Sequence, residues 1–168
     1  MNSNSTEILG NLLKTYETYF DISYNHCVDN LPVEAEAEFH SRSEKYVLVK
    51  KANLWSAESH EYTYFVMVDS LTPDIYENYR KAILEDGLKR IEPKKDHMCS
   101  YVSLIIITNS CSEDIHTPVL KTKFHKEFRF SIYGWMDYRV AVYDCSTGKI
   151  YTNRAGKDLK KNLQSVTK

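Results

Sequence analysis

Glu61 stands at the mouth of an apolar run in the stretch SHEYTYFVMVD, residues 59–69. A carboxylate at the start of a strand that must be buried is either a polar strand end or a group able to hold a metal and a proton. Other chemistry-bearing types are sparser. His97, Cys99, Cys111 and His116 are acceptable zinc ligands, but Cys99 and Cys111 bracket an apolar run. An extended run of that length spans roughly 40 Å, against the short spacings of structural zinc sites, so no metal site is expected from them. His26 and Cys27 have the types of a base and a nucleophile, yet adjacent residues of an extended chain point to opposite sides. Cys27 is expected as a small buried hydrophobe. No serine-hydrolase motif and no glycine-rich phosphate loop occurs, and AGK at 155–157 lacks the Walker spacing. Arg154, Lys157, Lys160 and Lys161 recur at helical spacing and form a positive face able to touch phosphates without reading sequence. The competing explanation is a solvated helix exterior, or a partner for the acidic start of the chain.

The elements that must position these residues are those of one domain. The chain has 168 residues, 42% hydrophobic and 27% charged, within the ordinary range of a globular protein that folds without staples. Its 13 tyrosines suit an amphipathic rim to the core. No window reaches a membrane-spanning apolar length, and MNSNSTEIL lacks the basic start and apolar block of a signal peptide. The four cysteines show no tight spacing, which fits a reducing cytoplasm. The net charge of −1 is unevenly spread: residues 1–44 hold eight acids against Lys14 and Arg42, while residues 145–168 hold six cations against Asp158. Such asymmetry marks a polyanion-binding tail or ends that attract each other.

Ile8, Leu9, Leu12, Leu13, Tyr16, Tyr19 and Phe20 give one face of a helix capped by Ser5 or Thr6. DISYNHCVDNLP reads as an extended connection closed by Pro32. VEAEAEFHSR alternates strictly and predicts a half-exposed strand. KYVLVKKANL predicts a second strand, WSAESH a turn, and EYTYFVMV a third, central strand. Thr72 and Pro73 start a helix running to about Arg90. YVSLIIIT is a second central strand, and SCSEDIHTPVLKTKF is expected to be helical despite Pro118. FRFSIY predicts a further strand with Phe128, Phe130 and Ile132 on one face. GWMD, with its Gly134-Trp135 pair, predicts a turn into YRVAVYD, and CSTG a turn into KIYT. A basic C-terminal helix follows, and Trp55 is expected as a packing residue. The fold class is α/β, a single domain over residues 1–168 with a mixed five- to seven-stranded sheet flanked by helices.

This order, α-β-β-β-α-β-α-β over roughly residues 5–135, is similar to the core of the restriction-endonuclease-like nucleases of the PD-(D/E)xK type. In that family an acid on the second core strand and an acid-x-lysine on the third hold a divalent metal. Glu61-Tyr62-Thr63 supplies the acid but has threonine in the lysine position, and KYVLVKKANL brings no acid. The resemblance therefore implies a metal-dependent nuclease only with migrated ligands: Glu61 with Glu36 or Glu38 on Mg²⁺, and Lys45 or Lys50 in place of the lysine. EKYVLVKKANLW, HEYTYFV, DHMCSYVSLIII, FHKEFRFSIYGW and YTNRAGKDLKK resemble blocks of an uncharacterised family of small proteins from Gram-positive bacteria, which carries no catalytic assignment.

The sequence thus leads to a small cytoplasmic binding or interaction domain without catalysis or cofactor. The alternatives are the divergent nuclease, with Mg²⁺, and a nucleic-acid-binding protein using Arg154, Lys157, Lys160 and Lys161. The strands after residue 127 offer a sheet edge, and edges invite pairing, which admits a homodimer.

Overall fold

Helical spacing of Ile8, Leu9, Leu12, Leu13 and Tyr16 produces α1 (Ser3–Tyr16), which buries all five side chains. A computed structural model describes residues 3–46 and 53–167. After α1 come β1 (Asp21–Val28), β2 (Leu31–Tyr46), β3 (Asn53–Leu71), α2 (Pro73–Arg90) and β4 (His97–Cys111). A 3-10 turn then leads into α3 (His116–Lys121), β5 (His125–Glu127), β6 (Trp135–Asp144) and β7 (Lys149–Thr152). A second 3-10 turn (Arg154–Gly156) precedes α4 (Lys157–Val166). Among the described residues this is a single α/β domain with four α-helices and a mixed, open, seven-stranded sheet.

The strands lie in the order β1-β2-β3-β4-β6-β5, with β7 also paired to β6. The first three form an antiparallel meander, whereas β3, β4 and β6 run parallel. Parallel neighbours need a crossover, supplied by α2 and then α3. Tyr62, Tyr64, Val66, Val102, Leu104 and Ile106 pack on one face against α2 and α3. Phe65, Met67, Ile105, Ile107 and Tyr143 pack on the other against α1 and α4. Burial on both faces is why β3 and β4 read as unbroken apolar runs.

Thr72 caps α2 by accepting from the Ile75 amide at 3.3 Å, with Pro73 at the first helical position, as the sequence predicts. Gly87 lets α2 lie directly on β4: a Cβ there would sit 2.5 Å from the Val102 methyls.

Besides α1, which starts before the expected caps Ser5 and Thr6 and ends before Tyr19 and Phe20, four expectations change. Residues 21–28 are a true strand rather than a connection, paired with β2 from Asp21 opposite Glu38 to Val28 opposite Leu31. Asn25, at φ 57°, interrupts that outer edge. WSAESH is no turn but part of β3, because the β2–β3 ladder runs unbroken through Ser41 opposite Ser59. The expected strand KYVLVKKANL is therefore divided between the end of β2 and the start of β3. Lys50 and the rest of 47–52 lie outside the described residues, as do the side chains of Lys45 and Trp55.

FRFSIY is the third change. Its alternation is real, yet Arg129, Phe130 and Ser131 adopt φ of 48°, 54° and 65°, a left-handed turn. The turn is closed by Phe128 N–H donating to the Gly134 carbonyl at 2.9 Å. Gly134 itself has φ 75°, and a Cβ there would meet the Met98 carbonyl at 2.4 Å, so only glycine allows the chain to reverse here. The turn thus falls before Trp135, and GWMD enters β6 directly. Fourth, β6 is interior, flanked by β4 and by the short β5 and β7, so the sheet's far edge is three- and four-residue strands. No helix among the described residues is long and apolar enough to cross a membrane.

Candidate functional site

Residues directly opposite on paired strands share a face. Glu36 lies opposite Tyr64 and Glu38 opposite Tyr62, whereas Glu61 lies opposite Phe39. The side-chain period of two then sends Glu61 to one face and both Glu36 and Glu38 to the other. These carboxylates do not gather around one ion. Glu36 and Glu38 instead share Arg90, at the end of α2, whose two Nη atoms each reach one carboxylate. Arg90 also lies over the Tyr62 ring at 4.7 Å and donates to the Tyr64 hydroxyl at 3.3 Å. Tyr64 in turn donates to Asp86 at 2.6 Å, and burial first, then that acceptor, push its phenol up.

Glu61 opens instead into a cleft of about 250 Å³ between α1 and α4. Its Oε1 lies 3.6 Å from Nη1 of Arg139, with the side chains 19% and 14% exposed. That spacing is an ion pair without the close bidentate contact the two groups are able to make. The Thr63 hydroxyl donates to Glu61 at 3.3 Å, and the Arg139 guanidinium lies 3.3 Å from the Tyr101 ring centroid. Tyr16 forms one wall, its hydroxyl accepting from the Asn162 amide at 3.2 Å, and Asp158 and Leu159 of α4 form another. Burial pushes the Glu61 carboxyl up; Arg139 and Thr63 only partly oppose this, and Asp158 adds to it. Burial likewise pushes the Tyr16 phenol up to about 12. In the adjacent row of the same face, Thr63, Ser103 and Arg139 lie side by side. The Ser103 hydroxyl there is fully buried and meets no hydrogen-bond partner among the described residues.

Of the basic candidates, Lys157, Lys160 and Lys161 share the exposed side of α4, opposite the buried Leu159 and Leu163, and Arg154 precedes them. Arg154 lines a large groove beside β5, Lys160 a second groove beside β7, and Lys161 pairs with Asp158 at 3.0 Å. Lys157 is exposed at the start of α4. Cys99 and Cys111 stand at opposite ends of β4, as the sequence implies. Cys27 is exposed on the edge strand β1, not buried as expected, because β1 has no neighbour on its outer side.

Sequence reasoning missed Arg139, Tyr101, Tyr16 and Asn162. They come from four elements, and only the alternation of YRVAVYD hints that Arg139 shares a face with Ala141 and Tyr143. It also missed a row of histidines across β2, β3 and β4. His40 and His60 face each other directly, and the His60 ring stacks on His97 at 5.9 Å.

Fold and cleft define an α/β domain with a polar pocket enclosed by its first and last helices. Residues 4–165 match the family described as Domain of unknown function (DUF8052), and the chain belongs to that family. No curated protein and no solved structure matches the chain.

Proposed function

We propose that this is a cytoplasmic, non-catalytic binding domain whose cleft between α1 and α4 takes a small zwitterion. The observation that carries this reading is the opposed pair Glu61 and Arg139, 3.6 Å apart at the floor of a cavity of about 250 Å³. Drug-sized sites occupy about 300–1,000 Å³, so this one suits a smaller metabolite. Glu61 and Asp158 set two carboxylates against one guanidinium, which favours a ligand bearing an ammonium group. Arg139, held flat on Tyr101, presents its remaining donors to a carboxylate. Phe20 and Leu159 add apolar walls for a short side chain.

Titration calorimetry with free amino acids, set beside simple amines and simple carboxylic acids, tests the proposal. At least one amino acid should bind and raise the melting temperature, because a ligand of the native state alone stabilises it. Glu61→Gln and Arg139→Gln should each abolish that binding. Absence of any zwitterion binding, or unchanged binding by both variants, overturns it.

A further inference from the structure

We infer that the β5–β7 edge of the sheet, together with the outer side of α4, binds single-stranded nucleic acid, with its phosphates on the basic side chains and its bases on two flanking rings. The inference stands apart from the cleft. Between β5 and β7 the edge of β6 has no strand beside it, and a groove of about 1000 Å³ opens there. Lys121, Lys123 and Arg154 line it, drawn from α3, the segment after it and the 3-10 turn before α4. The groove's one carboxylate, Asp137, is taken up by His125 at 2.7 Å. A second groove, about 660 Å³, lies between α3, β7 and α4 and carries Lys149 and Lys160. Both grooves are walled by α3, which supplies Leu120 and Lys121 to the first and His116 to the second. Five cations from five separate segments thus line the two grooves that α3 walls.

A solvated helix exterior needs no grooves and no cations converging from other elements. A flexible polyanion uses both. Phe124 in the first groove and Tyr151 in the second are part-buried rings, the sequence-tolerant platforms on which bases stack. Five of the eight acids of the first 44 residues lie on β1 and β2, at the other end of the sheet, and two of them, Glu36 and Glu38, are paired with Arg90.

The probe is a fluorescent fifteen-nucleotide oligo-dT, followed by anisotropy as sodium chloride is varied. With three to four phosphates neutralised, affinity should fall about 20- to 50-fold between 50 and 200 mM salt. Lys123→Glu with Arg154→Glu, and separately Lys149→Glu with Lys160→Glu, should each weaken binding at least about tenfold, the scale of losing two charged contacts. Lys89→Glu, at the far end of α2, should leave it unchanged. These side chains are exposed, so unaltered melting curves will show that the variants fold. Absence of binding at 25 mM salt overturns the inference, as does equal binding by either double variant. Inorganic polyphosphate that displaces the oligonucleotide at equal phosphate concentration also overturns it, because bases would then contribute nothing.

Discussion

The Nδ1 atoms of His40 and His60 face each other across the β2–β3 ladder at 2.7 Å. On their far sides the Nε2 atoms approach Glu38 at 3.3 Å and Glu58 at 3.7 Å, so two imidazoles lie in series between two carboxylates. A contact between two ring nitrogens requires one of them to be unprotonated, and full protonation of both rings sets two N–H groups head to head. Burial, then the neighbouring His40 and His97, lower the His60 pKa from its ordinary value, while Glu58 partly opposes them. Lys94, 2.7 Å from Glu58, weakens that opposition. A folded-state value below the unfolded one means that the unfolded chain takes up the proton first. His60 therefore contributes stability above about pH 6.5 that is lost as pH falls below it. Urea midpoints from pH 8 to 5 should drop more steeply for the parent than for His60→Gln. Parallel curves would show that the pair is not the acid-sensitive element.

Glu61 behaves in the opposite sense. Its raised carboxyl pKa, set first by burial, means that the ionised form is disfavoured in the fold even with Arg139 nearby. Glu61→Gln, which keeps an acceptor for Thr63, should melt higher than the parent at pH 7. The gap should close as pH falls through the raised value towards 4.5, where both side chains are neutral. A variant that is more stable yet no longer binds a zwitterion identifies Glu61 as a ligand group rather than a prop of the fold. A lower melting temperature at pH 7 would contradict this.

Arg90 should prove the reverse: structural, with no part in binding. It neutralises Glu36, whose side chain is 9% exposed, and Glu38 beneath α2. Removing one partner of a buried pair leaves a charge without compensation, so Arg90→Met should cost about 3 kcal/mol in urea denaturation. Zwitterion affinity should not change, because the cleft lies on the other face. Reduced affinity in a folded Arg90→Met protein would refute the separation of the two faces.

Much of this was legible in the sequence because it follows from local rules. Helical spacing marked α1, Thr72-Pro73 marked the start of α2, and unbroken apolar runs marked β3 and β4. FRFSIY failed for a reason no local pattern carries: its would-be partner positions on β6 go to β5 and Phe124, and Gly134 reverses the chain. The cleft was half legible. Glu61 drew attention as a lone acid on a buried strand, but Arg139 is 78 residues away in sequence, and only the pairing of β3, β4 and β6 sets the two in adjacent rows of one face. The same register explains why Glu36 and Glu38, apparent companions of Glu61 by type, emerge on the opposite face.

Asn153 supplies a further test of how the basic edge is built. Its side chain occupies the place of a missing strand between β5 and β7: Oδ1 accepts from the Val140 amide at 2.9 Å. Its Nδ2 donates to the carbonyls of Tyr138 at 2.9 Å and Thr122 at 3.2 Å. The residue is 2% exposed, so each of these backbone groups depends on it rather than on water. Asn153→Asp preserves shape and the acceptor but turns a carboxylate oxygen towards two carbonyls. It should therefore cost more than Asn153→Ala, which itself should cost about 2–4 kcal/mol through buried groups left unpaired. Amide exchange at Val140 should accelerate in both variants before exchange in β3 or β4 does, since the loss is local to the seam. If Val140 stays as protected as the central strands, the seam is held by something other than this amide.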